Sequence, residues 1–366
     1  MDTQAFENKE QIFNLLPPTN PTVRDEEILV ALLNMGGPKT NADVRAFQMK
    51  LFNDRRLIRF PGPAWLQRFF AWLLITLRGK GAEERYMLMG GGSPIYKSTE
   101  AQVKNLKNEL TLRGRKIDVT YSFNYTPPFP EDTIAEAKKA GKKYILPVSL
   151  YPHYSTATTG SNLYYLKEAA QRLYPELKFL TAPAYYLHNA YIEAFVNRVG
   201  ESLRPGESLD DFYLIFSAHG LPSYFLLEGD PYAFQINQTV AKILNQLNRS
   251  DRWIIAYQSA VGPIQWLKPS TEKVLEALAL RGLKKVLIIP VAFVSDHIET
   301  TCEIDMEYRA MAEKWGITDY RMSKALESHP EFIKALADTV EESLQQPLQN
   351  KSHPEPFIKG AAHVHG

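Results

Sequence analysis

Short, almost unbroken apolar runs recur along this chain with helical segments between them, and that alternation admits few folds. The runs fall at 28–34, 117–123, 144–150, 212–217, 253–258 and 286–294 and are rich in Val, Ile, Leu, Tyr and Phe. A strand with one wet face alternates apolar and polar residues. These runs scarcely alternate, which is the pattern of parallel strands covered on both faces. Helices fit between them: 99–113 opens at a Ser-Thr pair and stops at Gly114, 132–140 stops at Gly141, and 271–281 stops at Gly282. The order predicts a doubly wound α/β architecture, and about eight strands over this length suit two small sheets better than one large one. One strand runs out into LLNMGGP and a later one into IFSAHGLP, which hints at related halves.

The 366 residues suffice for two domains with sizeable cores, at 45% hydrophobic and 23% charged. A net charge of +1 gives no basis for a nucleic-acid partner. The single cysteine, Cys302, can form no internal disulfide and cannot supply the four ligands of an iron–sulfur cluster. The acidic, polar N-terminus reads as neither a secretory signal nor a transit peptide, so the cytoplasm is the expected compartment. The most apolar stretch, 64–77, is interrupted by Gln67 and Arg68 and is shorter than the roughly 20 residues a spanning helix requires. The Pro-, Gly- and His-containing tail beyond Gln345 is expected to be poorly ordered.

In open α/β sheets ligands bind beyond the carboxyl ends of the strands. Those positions carry Met35-Gly36-Gly37-Pro38, Asn124-Tyr125, Ser217-Ala218-His219-Gly220, Gln258-Ser259 and Ser295-Asp296-His297-Ile298-Glu299. Glu299, Glu303 and Glu307 recur every fourth residue, a spacing that places three carboxylates on one helix face. That face is either simply solvated or a ladder for a hard-to-borderline cation such as Fe²⁺ or Zn²⁺. His219 is a turn histidine, a ligand or an acid–base group. GGGSPI (90–95) precedes a helix but lacks the spacing of a nucleotide-binding loop. The stretch 64–77, with Trp65, Phe69, Phe70 and Trp72 flanked by Arg68, Arg78 and Lys80, reads as a core helix or as an amphipathic flap at a membrane surface.

Together LLNMGGP, GGGSPI, YPHYSTATTGS (151–161), FSAHGLP with GDPY (229–232), QSAVGPIQWLKPST (258–271) and AFVSDHIETTCEIDMEY (292–308) resemble, in order, the motifs of the ferrochelatases. The resemblance spans about 27–344. It implies two Rossmann-like domains with a porphyrin cleft between them: residues 27–184 with 322–346, and residues 185–321, flanked by tails at 1–26 and 347–366. It implies insertion of Fe²⁺ into protoporphyrin IX, with iron as substrate, no required cofactor and no iron–sulfur cluster. His219 and Glu299 match the paired active-site residues, and Asp296 and His297 their neighbours. Glu303 and Glu307 match a carboxylate row that leads metal inward. Met35, Tyr86, Tyr125, Trp266 and Phe293 match residues around the macrocycle, with Gln258 and Ser259 beside them. Arg78 and Ser93 match groups that meet the propionates, and the aromatic stretch matches a membrane-touching lip. Family members usually carry Arg where this chain has Asn124. Met35 fits members that use protoporphyrin IX, whereas those using coproporphyrin III typically have Tyr.

On this reading a neutral His219 accepts a pyrrole proton or ligates metal, and desolvation raises the pKa of a Glu299 standing opposite. The alternatives are a coproporphyrin III ferrochelatase, another tetrapyrrole chelatase, and a non-enzymatic haem or metal carrier.

Overall fold

The computed structural model describes residues 23–59, 62–260 and 264–345. The expected tails, apart from residues 23–26, lie outside the described residues. The strands are β1 (Ile28–Asn34), β2 (Asp118–Phe123), β3 (Tyr144–Ser149), β4 (Lys178–Phe179), β5 (Tyr213–His219), β6 (Trp253–Gln258), β7 (Lys285–Pro290) and β8 (Asp319–Met322). The α-helices are α1 (Val44–Asn53), α2 (Ala64–Leu88), α3 (Ile95–Leu112), α4 (Pro130–Lys139), α5 (Ser161–Leu173), α6 (Asn189–Glu201), α7 (Ser223–Leu227), α8 (Tyr232–Gln246), α9 (Thr271–Leu280), α10 (Arg309–Lys314) and α11 (Pro330–Gln345).

Two parallel four-stranded sheets result, ordered β2-β1-β3-β4 and β6-β5-β7-β8. The orders are the same, so the related strand endings LLNMGGP and IFSAHGLP occupy equivalent places after β1 and β5. Every residue of β1 is buried, as a strand covered on both faces must be. The halves share apolar packing: Leu32 and Val148 of the first sheet, Tyr191 and Phe195 of α6, Phe216 of β5, and Phe332 and Leu336 of α11 belong to one continuous core. The C-terminal helix α11 returns to pack on α3, α6 and β3.

Three elements depart from the sequence expectation. The apolar run 286–294 is strand only as far as Pro290. Phe293 N–H then closes a turn on the Pro290 carbonyl, 3.2 Å away, and residues beyond it leave the sheet. The stretch 64–77 continues as helix to Leu88 because GKGAEERYML keeps helical backbone after the apolar residues end. The segment Glu299–Tyr308 is a π-helix instead of an α-helix. Such wide turns are rare and are frequently found at functional sites.

Candidate active site

A cleft of about 340 Å³ opens at the carboxyl ends of both sheets, bounded by residues of both halves. The loop after β1 can approach it because Gly36 has φ +83°, and a Cβ there would lie 2.2 Å from Thr126 Oγ1. Gly220, after β5, is similarly constrained: its Cβ would meet the Gln258 carbonyl at 2.7 Å. Both positions demand glycine, one for its backbone angle and the other for space.

His219 ends β5, and Glu299 opens the π-helix. Across 80 residues of sequence they meet directly, Nδ1 to Oε2 at 2.7 Å. Burial alone would favour the neutral forms, but here it is outweighed. The Glu299 carboxylate raises the His219 pKa above its ordinary value. In return His219, with His297, holds the Glu299 carboxyl well below the usual carboxylate range. The contact favours the imidazolium–carboxylate form of the pair over the neutral one. This corrects the sequence expectation of a neutral imidazole facing a carboxyl of raised pKa: the two are partners, not opposites. His297 Nδ1 donates to the Ser295 carbonyl at 3.2 Å, and its Nε2 lies 3.9 Å from Glu299 Oε2. Tyr232 O–H donates to the His219 carbonyl at 3.0 Å and fixes the strand end.

Ser259, at φ +63°, joins the inner two carboxylates. Its N–H and hydroxyl donate to Glu303 at 2.9 and 2.5 Å, and the hydroxyl lies 3.2 Å from Glu299 Oε2. Tyr308 O–H also donates to Glu303, at 2.7 Å. Burial and the Glu299 charge raise the Glu303 pKa. Glu307 is farther out and pairs with Arg85 at 2.7 Å. A π-helix turns less per residue than an α-helix, so residues four apart still share a face. Glu299 and Glu303 nonetheless share Ser259, whereas Glu307 pairs apart from them with Arg85, so the three do not converge on one point.

Met35, Tyr86, Ser93, His219, Ser259, Trp266, Phe293, His297 and Glu299 all line the cleft. Tyr125 and Gln258, expected beside the macrocycle, do not. Tyr125 turns its hydroxyl to Asp54 at 2.5 Å, and Gln258 accepts from the buried Ser217 hydroxyl at 2.7 Å. Asp296 does not line the cleft either. It accepts from Thr300 Oγ1 at 3.0 Å and steadies the first turn of the π-helix. The Arg78 side chain lies outside the described residues. Asn124 is held by Asn162 Nδ2 at 2.9 Å, away from the cleft. Cys302 is buried and donates to the Arg85 carbonyl.

Several lining residues were not singled out from the sequence. Phe47, Leu51, Phe52, Leu57 and Ile58 form an apolar wall; the faint amphipathic pattern of α1 marks the first three in sequence, and nothing marks Leu57 and Ile58. His153, within YPHYS, also lines the cleft. Burial lowers its pKa to about 3. Thr239 spends its hydroxyl proton on the Tyr186 carbonyl, so the neutral His153 ring donates to it from Nε2, at 2.9 Å. Asp230 of GDPY accepts from Ser155 Oγ at 3.0 Å and Thr156 N–H at 2.8 Å, and thereby ties this loop of the first half to the second.

The family model "Ferrochelatase" matches residues 28–344. The chain is 41% identical over 321 residues to the ferrochelatase of Synechococcus elongatus, covering 87% of this chain and 83% of that protein. It is 42% identical over 320 residues to that of Picosynechococcus, with the same coverage. Among solved structures, SirB from Bacillus subtilis with Fe³⁺ superposes with a TM-score of 0.52 at 15% identity, covering 68% of this chain and 89% of that one. That last likeness is one of fold.

Proposed function

Since the chain belongs to the ferrochelatase family, we propose that it inserts Fe²⁺ into protoporphyrin IX with release of two protons. The observation that carries this reading is the His219–Glu299 pair set at the inner end of an apolar, aromatic cleft. Metallation needs a flat apolar macrocycle removed from water, a way to strip an aqua cation, and acceptors for two pyrrole protons. The walls supply the first, and shape complementarity to a puckered ring lowers the barrier further. The carboxylates of Glu307, Glu303 and Glu299 run along one side of the π-helix from its outer part to the cleft and favour a divalent cation there. A cation nearing Glu299 disfavours the imidazolium, which releases its Nε2 proton to water. The neutral Nε2 then accepts the two pyrrole protons one at a time and releases each to water, while Nδ1–H stays on Glu299 Oε2. Iron is the substrate in this scheme, and no resident cofactor takes part.

The substrate reading favours protoporphyrin IX because Met35 and its neighbours leave little pairing for the two extra carboxylates of coproporphyrin III. Multiple-turnover haem formation from purified protein, protoporphyrin IX and Fe²⁺ under anaerobic reducing conditions tests the proposal. A single stoichiometric binding event without turnover points to a carrier instead. A kcat/KM that favours coproporphyrin III overturns the choice of substrate.

The same reading includes peripheral contact with a membrane, on its cytoplasmic side. On α2 the large side chains Trp65 (67%), Phe69 (51%), Phe70 (41%), Trp72 (48%) and Leu77 (74%) are exposed to solvent. Aromatic side chains on a helix with basic neighbours suit an interfacial position. Among the described residues no helix is long and apolar enough to cross a bilayer.

A further inference from the structure

The wall formed by Leu51, Phe52, Leu57 and Ile58 belongs to neither sheet, and two buried polar side chains hold it. Gln67, 1% exposed, lies on α2 among the aromatic residues of the lip. Its Nε2 donates to the carbonyl of Phe52 at 2.9 Å and to that of Ile58 at 3.0 Å, so both amide hydrogens fall on the backbone of residues that line the cleft. Asp54, 7% exposed, sits in the middle of the same segment. Its Oδ2 accepts from Tyr125 at 2.5 Å and Tyr165 at 2.9 Å, and Oδ1 accepts from Arg56 N–H at 2.8 Å. Its carbonyl receives Leu57 N–H at 3.2 Å and Ile58 N–H at 3.1 Å, which closes the turn. Tyr125 follows β2, and Tyr165 is on α5, so the carboxylate anchors the wall to rigid elements of the first half.

The Gln67 carboxamide is an odd choice for folding alone. Its Oε1 is buried and has no partner among the described residues. A buried acceptor left unmade destabilises, and the amide offsets that cost only through its two donors to the wall. What the amide supplies is a fixed position for two carbonyls of the wall.

We propose that Gln67 and Asp54 are positioning residues, which hold the wall 51–58 at the spacing a flat macrocycle requires and so set porphyrin affinity without touching the reacting atoms. The proposal rests on the porphyrin reading above. It also gives Tyr125 a role through Asp54 in place of direct contact with the ring.

The experiment compares wild type with Gln67→Met, Asp54→Asn and the double variant. It measures protoporphyrin IX Kd by fluorescence quenching, KM for each substrate, kcat, and the urea midpoint. Each single variant is expected to raise porphyrin Kd and KM about tenfold, since one or two buried hydrogen bonds no longer fix the wall. The Fe²⁺ KM and kcat should stay within about twofold. Both residues act on one wall, so the double variant should lose little more than the weaker-binding single one. Unchanged porphyrin Kd in folded variants overturns the proposal, as does full additivity, or an equal loss in kcat and Fe²⁺ KM. If Gln67→Met or Asp54→Asn fails to fold, Tyr165→Phe carries the test, with an expected rise in Kd of about threefold. A wild type that binds no protoporphyrin overturns the porphyrin reading and this proposal with it. A wild type that binds, with variants binding as tightly, overturns this proposal alone.

Discussion

His219 and Glu299 form one hydrogen-bonded unit, with 2.7 Å between Nδ1 and Oε2, and each shifts the other toward its charged form. Removal of either partner leaves a charge in the cleft without its counter-charge. His219→Ala is therefore expected to reduce iron insertion at least about a hundredfold while protoporphyrin still binds, because binding rests on the apolar walls. Glu299→Gln should lower the His219 pKa, because burial then acts with only Glu303 to oppose it, and should also slow turnover strongly. NMR titration of the His219 ring in both proteins checks the coupling. Turnover of His219→Ala within a few fold of wild type would sink the assignment.

Glu303 and Glu307 should differ in effect. Glu303 is tied to Ser259 and Tyr308 and stands next to Glu299, whereas Glu307 is half-exposed and already paired with Arg85. Glu303→Gln is expected to raise the apparent KM for Fe²⁺ by about tenfold, and Glu307→Gln by about threefold, in keeping with the smaller worth of an exposed pair. The porphyrin KM should move little in both. If both variants match wild type at limiting iron, the row is a solvated helix face.

The exposed aromatics of α2 are predicted to bind vesicles. Replacing Trp65, Phe69 and Trp72 together with Ser should cut co-sedimentation with liposomes and slow turnover on membrane-embedded porphyrin more than on detergent-solubilised porphyrin. High salt should weaken the wild-type association only in part, since apolar contact persists when charges are screened. A triple variant that sediments like wild type defeats the membrane proposal.

An acid-sensitive fastening lies far from the cleft. Arg321 on the edge strand β8 grips Glu207 through both nitrogens, at 2.6 and 2.7 Å, and also meets Asp319. Hydrogen bonding to Arg321 lowers the Glu207 pKa from 4.5 to about 2. A carboxylate whose pKa is depressed by folding stabilises the native state above its unfolded pKa, and that contribution fades as pH falls toward the folded value. Urea midpoints of wild type and Glu207→Gln should therefore differ at pH 7, converge as pH drops below about 4.5, and coincide near pH 2. A difference that stays constant over this range contradicts the prediction.

The sequence by itself determined the α/β class, because short apolar runs rich in Val, Ile and aromatic residues, set between helical segments with clear start and stop signals, fit strands covered on both faces. It also marked His219, Ser259 and Glu299 as candidate site residues, since they stand at or just beyond the carboxyl ends of strands. Tertiary structure alone decided how these residues pair. Whether His219 faces Glu299 across space or bonds to it depends on contacts 80 residues apart in sequence, and the charge state of both follows from that contact. Tyr125 and Gln258 carried the right motif but turned away from the cleft, since side-chain direction answers to neighbours such as Asp54 and Ser217 that no local pattern names. The wall at 51–58 was hidden for the same physical reason: its apolar residues gain meaning only when Gln67, Tyr125 and Tyr165 converge on them from three separate elements.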